Sequence, residues 1–473
     1  MSRTTATELW CMSAMELADA IRTKQVSSHE VIEAHLRRIE AVNPSINAVV
    51  IVMAEQSLKA AKTADAAVAA GAVLPPFHGV PFTVKENIDV AGSATTQGVV
   101  VMKDAVPPLD APHVAQLRSA GAIVIARTNL PDFGLRWHSE SSLRGTTVNP
   151  WDASRTPGGS SGGDAVALAT GMTPLGNGND YGGSLRIPAQ FCGIASLRTT
   201  HGRVAHASSI APAELSPTLQ LFMVEGPMAR RVADLRLALG CMSGRDVRDP
   251  WWTQAPLEGP RPKQPMRVAV SVDPGGGGVH PDVAAGVRRA ADALANAGYA
   301  VEEREPPRVA EAAALWSALC GSEVRAQMLP LMRPLLSRNS QRFVDFWLAR
   351  EPELDLASYQ RKLADRNAVA RAWTTFHSEF PLVLAPVSTE PAFAIGRDVA
   401  SEASAHALMQ TMRLVLAVNA LGLPACAVPV GTANGLPQGV QLIGDRYRED
   451  LCLTAAEAIE DRLGVVTPID PVR

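Results

Sequence analysis

Two glycine-rich blocks constrain this chain most: Pro157-Gly158-Gly159-Ser160-Ser161-Gly162-Gly163 and Asn179-Asp180-Tyr181-Gly182-Gly183-Ser184-Leu185-Arg186. Glycine at this density costs conformational entropy on folding. Proteins carry that cost where the backbone must turn left-handed or approach something closely. Residues 157–193 are also too apolar to be a disordered linker. The blocks therefore read as built turns, with a flexible surface loop as the alternative.

A phosphate-cradling loop fails on detail. There is no G-x-x-x-x-G-K-[ST], and Gly176, Gly178 and Gly182 miss the G-x-G-x-x-G spacing. Another reading makes Ser184 a nucleophile, with the successive N–H groups of Tyr181, Gly182, Gly183 and Ser184 as an oxyanion hole. A serine nucleophile needs a base. None of the ten histidines has a recognisable triad context, and there is no G-x-S-x-G elbow. His138, His201 and His206 read as ordinary polar residues. A buried lysine can serve if its pKa falls from roughly 10.4 towards 7–8. Lys85 follows the apolar run Val80-Pro81-Phe82-Thr83-Val84 and is a candidate, but composition alone does not separate it from a surface lysine.

The rest of the chain suggests an α/β protein. Ser13 with Glu16 and Ser27 with Glu30 fit capping boxes, and Ile32, Leu36 and Ile39 follow at helical spacing. Asn43-Pro44 predicts the end of that helix, and residues 54–70 predict a third. Val80–Val84 and Ala122–Ala126 are short apolar runs, the mark of strands buried on both faces. Cys241–Gln264 reads as a long connection. Met266–Val272 and Tyr299–Glu302 predict strands on either side of a helix over Asp282–Ala297. Ala310–Arg350 predicts helix, and Pro381–Pro386 and Ala425–Pro429 predict buried strands. There is no fixed-period repeat and no clean boundary.

Charge narrows the partners. With a net charge of −3, no large basic field drives binding to nucleic acid or membranes. The six cysteines are scattered and read as reduced thiols. Met1–Trp10 lacks the pattern of a signal peptide. The expectation is a cytoplasmic enzyme that binds a small molecule. Homodimerisation is compatible with the sequence.

Taken together, the two glycine blocks at their present distance resemble the amidase signature family. Gly79-Val80-Pro81-Phe82-Thr83-Val84-Lys85-Glu86-Asn87 resembles its lysine motif. Thr128-Asn129-Leu130-Pro131-Asp132-Phe133, Gly226-Pro227-Met228-Ala229-Arg230, Asn419–Ala425 and Gly435–Gln441 resemble later landmarks. The resemblance runs from about Ser13 to the end. It implies one large amidase domain over 1–473, with core motifs at about 79–235 and a helical, substrate-specificity part at about 300–400. The implied fold is a central mixed β-sheet covered by helices on both faces. The implied site is Lys85 as base, Ser160 as the bridging serine after a cis peptide bond, and Ser184 as nucleophile, with no metal and no cofactor. The implied reaction is hydrolysis of an amide through an acyl-enzyme.

Asn179 stands where relatives usually carry Thr or Ser, and Tyr181 where they often carry Thr or Ile. Both changes are expected to alter pocket shape more than chemistry. Asp180 and Arg186 are expected to brace the turn as a pair. Leu135, Trp137 and Trp316 are the candidate pocket residues, with Trp347 beside them, and core packing is the alternative for each. They suggest a small carboxamide with an aryl or alkyl acyl group. Two other functions remain open to this sequence. One is the catalytic component of a tRNA-dependent amidotransferase, working within a multi-chain complex. The other is a non-catalytic binding protein that retains the fold.

Overall fold

A computed structural model describes residues 9–211 and 214–472. Residues 1–8, part of the stretch that lacks a signal-peptide pattern, lie outside the described residues. Both capping boxes form. Glu16 N–H donates to Ser13 Oγ at 3.2 Å while Ser13 N–H donates to Glu16 Oε2 at 2.7 Å. Ser27 and Glu30 repeat the exchange. The second helix, Ser28–Ile46, runs past the predicted stop at Asn43-Pro44. Its last turn survives the proline because Asn47 N–H bonds Asn43 O, and the Asn43 side chain accepts from Ala48 and Val49 N–H.

Among the described residues thirteen strands follow in chain order. They are β1 (Val49–Val52), β2 (Pro81–Lys85), β3 (Ile123–Thr128), β4 (Glu140–Ser141), β5 (Gly145–Thr146), β6 (Leu175–Asp180) and β7 (Ala195–Arg198). Then come β8 (Val224–Ala229), β9 (Arg267–Val270), β10 (Ala300–Glu303), β11 (Leu382–Pro386), β12 (Ala425–Ala433) and β13 (Leu436–Gly444). Strands β4 and β5 form a small hairpin. The other eleven form one mixed sheet in the order β1-β3-β2-β6-β8-β7-β12-β13-β11-β9-β10. Strand β2 is parallel to both β3 and β6, and β9 to β10 and β11; the remaining pairs are antiparallel.

Helices cover both faces. Successive side chains of a strand point to opposite sides, and along β11 Leu382 and Leu384 join one hydrophobic cluster while Val383 and Ala385 join another. This is the single-domain mixed sheet that the sequence leads one to expect. Among the described residues no helix is long and apolar enough to cross a membrane. The stretch expected to be helical over 310–350 is broken. Helix Val309–Glu323 passes into a π-helical turn at Val324–Met328, then short pieces at Pro330 and Pro334, before helix Arg338–Leu348. Proline in a helix interior removes a hydrogen bond and clashes with the preceding turn.

Candidate active site

The site forms where parallel strands end. Because β2, β3 and β6 run the same way, their carboxyl ends bring Lys85, Thr128 and Asp180 to one edge. Such edges are where open α/β sheets leave a crevice. Along β2, Phe82 and Val84 enter the core cluster on one face. By the same alternation Thr83 and Lys85 face the other side.

Lys85 is fully buried. Its Nζ lies 2.7 Å from Ser160 Oγ and 2.7 Å from Asn179 Oδ1. Burial pulls its pKa down to about 8, against the opposing pull of Asp164, Glu225 and Asp180. Asp164, which follows the first glycine block directly, lies in the first turn of helix Gly162–Ala169. Its carboxylate accepts from Thr83 Oγ1 at 3.0 Å and Thr128 Oγ1 at 2.7 Å. Burial pushes that carboxyl up, and the two hydroxyls pull against it.

Asn179 corrects an expectation. Its side chain accepts a hydrogen bond from the lysine directly, so the departure bears on the surroundings of Lys85 as well as on pocket shape. Its Nδ2 donates to Asn87 Oδ1 at 3.2 Å, which fixes the amide with its oxygen towards Lys85.

Ser160 follows a cis peptide at Gly159–Ser160, as expected. Glycine is required at 159 because a Cβ there would lie 2.5 Å from Arg136 O and 2.8 Å from Trp137 C. Ser184 lies between the turn after β6 and helix Arg186–Cys192. Its carbonyl accepts from Ser161 N–H at 3.2 Å, which ties the two glycine blocks together.

The expected Asp180–Arg186 pair is present and wholly buried. Arg186 Nε lies 3.0 Å from Asp180 Oδ2. Arg186 also donates to Gln441 Oε1 at 2.9 Å and Asn419 Oδ1 at 2.6 Å. Burial alone would raise the Asp180 carboxyl, but Arg186 and Arg198 more than offset it and hold the group well below the usual carboxylate range. Asp180 also accepts from Gly183 N–H at 2.8 Å. Of the four amides expected to form an oxyanion hole, that of Gly183 is therefore already taken. The N–H groups of Tyr181, Gly182 and Ser184 make no hydrogen bond among the described residues, and these three residues line the pocket.

That pocket brings Ser160, Asn179 and Ser184 together with Leu135, Trp137 and Trp316. Trp347, Phe343, Met328 and Met409 extend its apolar wall. Trp316 and Trp347 stack with centroids 5.6 Å apart, and Trp137 meets Phe343 edge-on at 5.9 Å. Trp137 and Trp316 are only 6% and 5% exposed, so packing and pocket lining are one role here. Lys85 lies behind Ser160 and does not line the pocket, nor do His138, His201 and His206. Burial pushes His138 down to about 4, and its Nδ1 is paired with Thr156 Oγ1.

The amidase family model matches residues 30–453. The chain belongs to the amidase family. It is 44% identical to an indoleacetamide hydrolase of Bradyrhizobium diazoefficiens, over 97% of this chain and 88% of the relative. A second relative, 32% identical, is the A chain of the glutamyl-tRNA(Gln) amidotransferase of Moorella thermoacetica, matched over 96% of this chain and 97% of that one. The fold matches the structure of a 6-aminohexanoate cyclic dimer hydrolase complexed with substrate, with a TM-score of 0.84, 27% identity, and coverage of 98% and 99%. The amidase fold and the assignment to amide hydrolysis therefore stand.

Proposed function

We propose that this amidase hydrolyses a small arylacetamide, of the size and shape of indoleacetamide, to a carboxylate and ammonia. Ser184 Oγ attacks the amide carbonyl carbon. Its proton passes to Ser160 Oγ, whose own proton passes to the lone pair of Lys85 Nζ. The tetrahedral oxyanion is held by the N–H groups of Tyr181, Gly182 and Ser184. When the C–N bond breaks, the relay runs backwards and protonates the leaving amine. Water then attacks the Ser184 ester, with Lys85 again as base through Ser160. This is the serine-triad logic with lysine in the place of histidine.

The observation that carries the reading is the 2.7 Å contact between buried Lys85 and Ser160, at the floor of a pocket that also holds Ser184. A lysine with a pKa of about 8 is neutral about one time in ten at pH 7, roughly 300-fold more often than an unperturbed one. Asn179 sharpens the assignment. Its amide oxygen can only accept, so Lys85 must donate to it; once neutral, the lysine can keep an N–H there and turn its lone pair to Ser160. The aromatic wall and the indoleacetamide hydrolase relative support an aryl acyl group. Helices over about 309–348 would then set specificity. Cys192, Cys320, Cys426 and Cys452 are buried thiols, which fits a reducing, cytoplasmic setting. The relay and the pocket come from one chain, so turnover is expected of a monomer.

A substrate panel tests this. Indoleacetamide and phenylacetamide should be hydrolysed with kcat/KM at least about tenfold above acetamide and glutamine. Preference for glutamine would point instead to the catalytic component of an amidotransferase.

A further inference from the structure

The oxyanion turn is held by four consecutive carbonyls. Asp180 O accepts from Arg198 Nη1 at 2.7 Å and from Asn419 Nδ2 at 3.0 Å. Tyr181 O accepts from the indole N–H of Trp316 at 2.8 Å. Gly182 O accepts from the indole N–H of Trp137 at 2.9 Å. Gly183 O accepts from Ile187 N–H at 2.8 Å. A peptide unit is planar, and its C=O and N–H point opposite ways. Fixing these carbonyls therefore aims the N–H groups of residues 181 to 184.

Two of the four locks are pocket tryptophans. Trp316 sets the plane that carries the Gly182 N–H, and it lies so close that a Cβ on Gly182 would sit 2.9 Å from Trp316 Cζ2. Trp137 and Asp180 hold the next plane at both ends, Gly182 O and Gly183 N–H. Two adjacent glycines would otherwise leave this turn much conformational freedom. Both indoles also line the acyl pocket, and each N–H is the only donor its side chain has.

We propose that Trp316 is a positioning residue for the oxyanion hole, aiming the Gly182 N–H, and that Trp137 braces the turn beside it through the Gly182–Gly183 plane, so that the wall that receives the acyl group also aims an amide that stabilises the transition state. This rests on the reading of Ser184 as nucleophile. Trp347 provides the contrast. It stacks on Trp316 in the same wall, but its N–H goes to Ser317 Oγ at 3.0 Å and does not touch the turn.

The inference separates transition-state from ground-state binding. The test uses Trp137→Phe, Trp316→Phe and the full-length enzyme with benzothienylalanine at 316, which replaces the indole N–H by sulfur in a ring of the same shape. The readouts are kcat and KM for phenylacetamide, and affinities for a trifluoromethyl ketone analogue and for phenylacetate. The ketone forms a tetrahedral adduct with the nucleophile; the carboxylate does not. In the two position-316 proteins kcat should fall by about tenfold or more, and ketone affinity should fall by the same factor; Trp137→Phe, which loosens only the neighbouring plane, should move both in the same direction by a smaller factor. Phenylacetate affinity should stay within about twofold. Trp347→Phe should act mainly on KM. If ketone and carboxylate weaken together, or KM alone moves in the position-137 and position-316 proteins, the tryptophans are wall only and the inference is wrong. If benzothienylalanine at 316 matches the parent enzyme, it is wrong as well. Ser184→Ala reports separately on the underlying reading: ketone binding undiminished in that variant would remove the nucleophile assignment and the inference with it.

Discussion

The turn that carries Ser184 and the apolar wall meet in one pocket but are built differently. The turn is polar and closed. Asp180, Arg186, Arg198 and Asn419 are all fully buried, and the Asp180 carboxylate is satisfied by two arginines, an asparagine and two backbone amides. The wall is apolar and broken. It comes from helix Val309–Glu323, the π-helical turn at Val324–Met328 and helix Arg338–Leu348, with half-buried Met328 at the break. A buried polar network tolerates little change, because each lost partner strands another group. An apolar wall with flexible methionine can repack. On the proposed mechanism, chemistry depends on the closed network and on the indole N–H of Trp316 that reaches it from the wall, and choice of substrate is left to the part of the wall around Met328.

The largest break in this contrast should come from the relay. Ser184→Ala and Lys85→Ala should each lower kcat/KM by about 10⁴-fold or more, measured on phenylacetamide. Next is Arg186→Met, which leaves Asp180 buried without its main partner. It should destabilise the fold by about 3–5 kcal/mol in urea denaturation. A wall substitution such as Met328→Ala should cost only about 1 kcal/mol by the same measurement.

The pH profile offers a finer test. The proposed base, Lys85, can accept a proton only when neutral, so kcat/KM should rise with pH through about 8. Asn179→Asp puts a carboxylate on the ammonium and favours its charged form. The acid limb should move up by about one pH unit, with about tenfold lower activity at pH 7. Asp164→Asn removes a nearby negative charge and should move the limb down. A limb that stays put in both variants would mean that another group sets it. The smallest effect belongs to the wall. Met328→Ala should raise KM for indoleacetamide about fivefold and barely touch acetamide turnover.

Legibility in the sequence follows the same division. The turn and its two serines are readable because glycine, serine and their spacing are local. The Asp180–Arg186 pair is readable for the same reason. The contact between Lys85 and Ser160 is not local, and only the family resemblance joins them. Strand β6 is hidden because Leu175-Gly176-Asn177-Gly178-Asn179-Asp180 has poor strand propensity. It pairs because β2 and β8 flank it on both sides. Asp164 carries one signal, a charge directly after a glycine block in an otherwise apolar helix. The partners of Asn179 and the carbonyl locks of Trp137 and Trp316 depend on chain segments far apart, and no spacing rule connects them. The break at Val324–Met328 is foreshadowed only by Pro330 and Pro334 just beyond it.

The most direct test is the pH dependence of fluorophosphonate labelling, followed by intact mass and mapped to the modified peptide. The account predicts one adduct, on Ser184, formed at a rate that rises through a pKa of about 8 and collapses in Lys85→Ala. An adduct on another residue, or a labelling rate that does not depend on Lys85, would contradict it.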